Sequence, residues 1–172
     1  MTHADLDPAN PPRRHIGAVV LIRNRHGDVL MVRPKYKHAD EQQGWQLPGG
    51  GVHEGETVAA GAVRELFEET GVKRHITHAL VIDQVPASED GSSAEGYNIV
   101  VDGGVLDPDP AAAVTLPQSA ADELSALQWV PMGRLDTLAF PYQAARVRAA
   151  ARAHDFGMRL PLYQRGEPAD AG

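Results

Sequence analysis

The chain reads as a mixed α/β fold, one sheet covered by helices. Two observations predict it. Short β-rich runs recur along the chain, some of them joined by hairpin-like turns. Between them, residues 57–70 repeat their apolar positions with the period of a helix that buries one face.

The elements follow in order. Residues 1–14 hold Pro8, Pro11 and Pro12 among small and polar residues and are expected to form a flexible N-terminal tail. Ala18-Val19-Val20-Leu21-Ile22 and Val29-Leu30-Met31-Val32 are strand-like, and Asn24-Arg25-His26-Gly27 has the composition of the turn between them. Residues 34–44 are polar and read as a loop, and Trp45-Gln46-Leu47 is a short extended piece ended by Pro48. A glycine loop, Gly49-Gly50-Gly51, leads into the helix, which Gly71 stops. Strands are expected over 78–85 and 97–101, the latter reaching Val105 if it crosses Gly103-Gly104, with a loop over 86–95. Residues 107–121 form a connection of no clear pattern, and Leu127 to Val130 is a last strand. Pro131 suits the start of a short helix over 132–138, and a longer helix is expected over 142–154. The domain is thus expected over 15–158, with a C-terminal tail over 159–172.

Composition narrows the function. The chain has 172 residues with a formal net charge of −7, so the non-specific nucleic-acid binding that depends on lysine and arginine is not expected. There are no cysteines, which excludes disulfides, thiolate catalysis and cysteine zinc sites. No apolar run is long enough for a membrane span and the first residues lack the features of a secretory signal, so a cytoplasmic location and no membrane partner are expected.

Chemistry concentrates between Gly50 and Val72, GGVHEGETVAAGAVRELFEETGV. Ala59, Ala62, Val63, Leu66, Phe67 and Thr70 fall on one stripe of the helix, and Arg64, Glu65, Glu68 and Glu69 on the other. Like charges at spacings of three and four residues destabilise a helix unless something offsets them, and Arg64 alone does not balance three carboxylates. A hard dication would, and carboxylate-rich sites suit Mg²⁺ or Mn²⁺. The bland alternative is a solvated, charge-rich helix face.

The spacing decides between the two. Gly50, five residues, Glu56, seven residues, then Arg64-Glu65-Leu66-Phe67-Glu68-Glu69-Thr70-Gly71-Val72 matches G-x5-E-x7-R-E-U-x-E-E-x-G-U, where U is aliphatic. The chain therefore resembles the Nudix hydrolases, and Trp45-x-Leu-Pro-Gly-Gly before the box and Leu127-Gln-Trp-Val-Pro after it are similar to the family too. The resemblance implies an α/β/α sandwich with a mixed sheet, and metal-dependent hydrolysis of a diphosphate linkage in a nucleoside diphosphate joined to another moiety. It implies Glu65, Glu68, Glu69 and the Gly49 carbonyl as ligands of Mg²⁺ or Mn²⁺. Gly50, Glu56 and Gly71 are implied as structural residues of the box, with Arg64 supporting the catalytic helix by ion pairing with a box carboxylate. The resemblance implies a general base at Glu65 or on a carboxylate from a later loop, where Glu123 is favoured as metal ligand or base, with Asp122 its neighbour and rival. A homodimer is also implied.

Substrate contacts are less marked. Arg33, at a strand end, is placed to reach a phosphate or else to guard a sheet edge. Trp45 stacks on a base or packs under the glycine loop. Tyr97 and Asn98 face a base-binding cleft or the core. Arg146, Arg148 and Arg152 read as a solvated or dimer-contact face. Nucleotide sugars and nucleoside triphosphates both remain open as substrates. Two other readings of the same fold are weighed: a non-catalytic nucleotide sensor, against which all the box carboxylates are present, and an isoprenoid diphosphate isomerase, against which there is no cysteine.

Overall fold

A computed structural model describes residues 9–36 and 42–172. Most of the expected N-terminal tail and Lys37 lie outside the described residues. The strands are β1 (His15–Asn24), β2 (Val29–Pro34), β3 (Gly49–Gly51), β4 (His78–Val85), β5 (Gly96–Leu106), β6 (Leu124–Val130) and β7 (Leu160–Pro161). The helices are α1 (Val58–Thr70), α2 (Pro108–Ala113), α3 (Leu135–Leu138) and α4 (Pro141–Asp155), and a two-stranded ribbon, β8 (Tyr163–Gln164) and β9 (Glu167–Pro168), completes the described elements.

The sheet runs β6-β2-β1-β5-β4-β7, with β3 added to β1. It is mixed because β1 pairs β5 in parallel, while β2 and β3 pair β1, β6 pairs β2, and β4 pairs β5 antiparallel. Alternation along the strands sends residues to two faces. Ala18, Val20, Ile22, Leu30 and Val101 pack beneath Ala59, Ala62 and Leu66 of α1. Leu21, Val29, Met31, Val100 and Val130 pack beneath Leu135 of α3 and Ala144, Val147 and Ala150 of α4. This is the α/β/α sandwich that the family resemblance implies. Among the described residues no helix is long and apolar enough to cross a membrane.

Helix α1 begins where the sequence predicts. The Thr57 side chain accepts from the Ala60 amide at 3.1 Å, and at the far end Gly71 takes φ of 70°, a left-handed conformation that costs a glycine little. Thr57→Ala is expected to lower stability by about 1 kcal/mol, read as a lower urea midpoint at unchanged slope.

Two expectations are corrected, and one stretch left open is filled in. The glycine run 49–51 is a strand: it pairs with Gly17, Ala18 and Val19, so closely that a Cβ on Gly49 would lie 2.2 Å from the Ala18 carbonyl oxygen. Gly49 also holds φ of 138°, which other residues rarely adopt. Residues 159–172, read as a tail, carry β7 against β4 and bring the Ile76 amide to the Ala171 carbonyl at 2.7 Å, which gives the outer edge of β4 a partner. The connection 107–121 contains α2 and a short 3-10 turn at Gln118–Ala120, and its residues Ala111 and Ala120 are buried. Strand β5 does cross Gly103-Gly104, through a shift of register opposite Leu21 and Ile22.

Candidate active site

The box folds around one arginine. Arg64 Nε donates to Glu56 Oε1 at 2.9 Å and Nη2 to Glu56 Oε2 at 3.0 Å, a two-pronged pair. Nη2 also donates to the Gly51 carbonyl at 3.0 Å, and Nη1 to Glu65 Oε1 at 2.7 Å and Glu68 Oε2 at 3.3 Å. One guanidinium thus ties helix α1, strand β3 and the loop between them. The bond from Arg64, helped by the His53 amide and opposed by partial burial, holds the Glu56 carboxyl down at about 2. Gly50 and Gly61 leave room for this cluster. A Cβ on Gly50 would lie 2.7 Å from Glu65 Oε1, and one on Gly61 would lie 3.0 Å from Glu56 Oε2.

Glu69 stands on the other side of Glu65. Its Oε2 accepts from the Gly49 amide at 2.8 Å, so the glycine strand and the last turn of α1 share a bond. Burial pushes the Glu69 carboxyl up to about 8, partly offset by the Gly49 amide and raised further by Glu65, Glu123 and Glu68. The list of charges is also a map. Glu65, Glu68 and Glu123 each lie close enough to repel the Glu69 carboxylate, and no described residue bonds the Glu123 carboxylate.

Among the described residues no three acidic or imidazole side chains are already assembled as a metal-ligand set. Arg64 instead serves as counter-charge for Glu65 and Glu68. The donor chemistry still fits a hard dication. It consists of carboxylate oxygens, one of them mostly buried and so short of compensating charge that it holds its proton to about pH 8.

Beside the carboxylates opens a cleft of about 540 Å³. The glycine strand forms one wall, and Asp83, Asn98, Gln143 and Arg146 line another. Tyr36 joins the two regions: it borders the cleft, hydrogen-bonds Gln46, and lies within electrostatic reach of Glu69 and Glu123.

The three expected substrate contacts fall outside this cleft. Trp45 is buried in the core beside Leu47, its amide donating to the Leu138 carbonyl at 3.1 Å. Tyr97 is part-buried opposite Ile16 and Gln84, and strand alternation turns Asn98, its neighbour, to the cleft. Arg33 is part-buried on β2 opposite Ala126, and its carbonyl accepts from Ser125 Oγ at 3.0 Å.

The sequence reading also misplaced Arg146, which is buried and not on a solvated face. Its signal was present. Ala144, Val147, Ala150 and Ala151 define the apolar stripe of α4, with Gln143 inside it and Arg146 on its margin. Arg148, at 2.7 Å from Asp136, and the exposed Arg152 are the outward ones. Tyr36, Gln46 and Asp83 gave no sequence signal, because strand ends and loops carry no period from which a facing can be read.

Residues 13–152 match the family model described as NUDIX domain. A stretch of 67 residues is 48% identical to an RNA pyrophosphohydrolase of Bartonella quintana (strain Toulouse), covering 37% of this chain and 38% of that protein, well under two thirds of its length. A Bacillus subtilis (strain 168) protein provisionally named an 8-oxo-dGTP diphosphatase is 29% identical over 133 residues, 76% of this chain and 76% of that protein. Among solved structures, the MutT protein of Methanosarcina mazei Go1 matches with a TM-score of 0.62 at 26% identity, covering 85% of this chain and 96% of the other. Since the matching model takes in the sandwich, the glycine strand and the whole box, this chain belongs to the Nudix hydrolase family.

Proposed function

We propose that the chain is a Mg²⁺- or Mn²⁺-dependent pyrophosphohydrolase acting on a nucleoside diphosphate linked to another moiety, a nucleotide sugar or a nucleoside triphosphate. The observation that carries it is the packing of Glu69 against the Gly49 amide with Glu65, Glu68 and Glu123 around it, at the edge of a cleft large enough for a nucleotide.

Glu65, Glu68, Glu69 and the Gly49 carbonyl would hold the metal, which when bound polarises phosphoryl oxygens and offsets charge on the leaving phosphate. The protein's own groups divide the remaining work. The glycine strand carries no side chains of its own, which lets the Glu65 carboxylate stand directly beside Gly50 at the border of the cleft. Arg64 holds β3 against α1 while its Nη1 keeps Glu65 oriented. Glu65 is thereby committed to an ion pair, which supports Glu123 as the base. Its carboxylate takes the proton of the attacking water as the new phosphorus–oxygen bond forms and the bond to the bridging oxygen breaks.

The test is a panel of nucleoside diphosphate derivatives with Mg²⁺ or Mn²⁺, products identified by mass. Two phosphate-terminated products are expected with metal and none after chelation. Glu123→Gln is expected to lower kcat on the order of a hundred-fold while metal affinity stays close to wild type. Nucleotide bound without turnover under either metal would overturn the proposal in favour of a sensor. Sedimentation would test the homodimer that the family resemblance implies.

A further inference from the structure

Two polar side chains intrude on the buried side of α4. Gln143 is 5% exposed and Arg146 is 8% exposed. Arg146 Nε donates to Asp83 Oδ2 at 2.7 Å, its Nη1 to Gln143 Oε1 at 3.2 Å, and its Cζ lies 5.8 Å from the Tyr142 ring centroid. Among the described residues this leaves Arg146 Nη2 and the Gln143 side-chain amide nitrogen without a partner. No buried side-chain nitrogen or oxygen among them lacks one. Both nitrogens are therefore reached by solvent, and the solvent space that both residues border is the cleft.

The charge on this pair limits what it can read. Asp83 neutralises Arg146 at contact distance, and no lysine is among the residues lining the cleft. The guanidinium edge thus acts as an oriented donor more than as a cation, which favours a neutral surface carrying acceptors over a phosphate. Residues three apart on a helix stand side by side, so the Arg146 and Gln143 donors offer themselves together. Two adjacent acceptors answer them, one for Arg146 Nη2 and one for the Gln143 amide, and the O6/N7 edge of a guanine-type purine has that pattern. Adenine keeps the N7 acceptor but places an amino group where guanine has O6, so one of the two donors would face a donor and lose its partner. Tyr142, stacked on Phe140 at 6.1 Å between centroids and 5° between planes, supplies an aromatic surface beside them.

We infer that Gln143 and Arg146, held by Asp83, form a base subsite that selects a 6-oxopurine nucleotide over an adenine one. This rests on the reading of the cleft as the nucleoside side of the substrate. The test is calorimetric titration of the metal-free protein with GMP, AMP and UMP, in which no turnover occurs. GMP is expected to bind on the order of 10- to 100-fold tighter than AMP, and more tightly than UMP, which offers a single acceptor at that edge. Equal affinities, tighter AMP or UMP, or no binding of any of the three would overturn the inference. Gln143→Glu, which replaces a donor by an acceptor, is expected to narrow the GMP-to-AMP ratio about ten-fold, and Arg146→Lys, which keeps charge opposite Asp83 but loses the free Nη2 donor, to do the same. If Arg146→Lys fails to fold by thermal melt, the wild-type ratio and Gln143→Glu still decide. A guanine preference without hydrolysis would overturn the proposed activity alone. Hydrolysis with no base preference would overturn the subsite alone.

Discussion

Glu69→Gln is expected to lower metal-dependent hydrolysis on the order of a hundred- to a thousand-fold, and at the same time to make the metal-free protein more stable at alkaline pH. Both effects come from one environment. The carboxyl is buried beside three like charges, with the Gly49 amide its one hydrogen bond, and its folded pKa rises to about 8 from an ordinary value of 4.5. Below the unfolded value the proton is bound in both states, and the full stability is present. Between the two values the unfolded chain releases the proton and the folded one keeps it, so stability falls as pH rises, and the loss is complete above about 8. The size is a few kcal/mol, to order of magnitude. Glutamine keeps the acceptor for the Gly49 amide and cannot ionise, so the variant lacks this slope. Urea unfolding with chelator from about pH 5 to about pH 9 reads it, and turnover of the best substrate in the panel reads the other effect. A dication opposes the same penalty, so Mg²⁺ or Mn²⁺ is expected to raise the wild-type midpoint and to raise that of Glu69→Gln far less. A variant with wild-type turnover, or a parallel pH slope in both proteins, would contradict the assignment of Glu69.

What the sequence exposed and what it hid follow from how far each signal reaches. Helix α1 was legible in extent because its apolar period and its terminal glycine are local, each acting within a turn, although Phe67, read onto the buried stripe, is 47% exposed. The mixed sheet was legible in kind, since buried strands show as apolar runs, but the parallel pairing of β1 with β5 joins residues some 80 apart and has no local signature. The glycine run misled because three glycines look like a loop in any window. That Gly49 lies against Ala18 is a fact of the pairing, and only the pairing shows that a strand with no side chains lets two backbones and the Glu69 carboxylate meet. Arg146 misled for a related reason. Among arginines at 146, 148 and 152 the helix period separates inner from outer only once the apolar stripe is fixed, and an alanine-rich helix fixes it weakly. Cleft residues such as Tyr36, Asp83 and Asn98 converge from three separate segments, so their proximity is a property of the tertiary fold.

Arg64→Ala is expected to be the most damaging single change in the box, lowering stability by roughly 2 to 3 kcal/mol and hydrolysis by more than a hundred-fold. The guanidinium has no redundant bond. Glu56 and Glu65, 16% and 17% exposed, lose their cationic partner together, while the Gly51 carbonyl loses its side-chain donor. Glu68 is 58% exposed and loses little, which keeps the cost below that of a fully buried pair. Lysine is no substitute, because a single ammonium cannot span Glu56, Glu65 and the strand carbonyl at once, so Arg64→Lys is expected to recover stability in part and activity hardly at all. The pH profile separates this role from simple packing. Glu56 titrates at about 2 in the folded protein against an ordinary 4.5, so its contribution is present above the ordinary value and lost as pH falls through about 2. With Arg64 removed that acid-side loss disappears, and unfolding curves of the variant between about pH 5 and about pH 2 are expected to be flatter than those of the wild type. Equal acid slopes in the two proteins would mean that Glu56 owes its low pKa to something other than Arg64, and the guanidinium would then be a local packing group with no part in holding strand to helix.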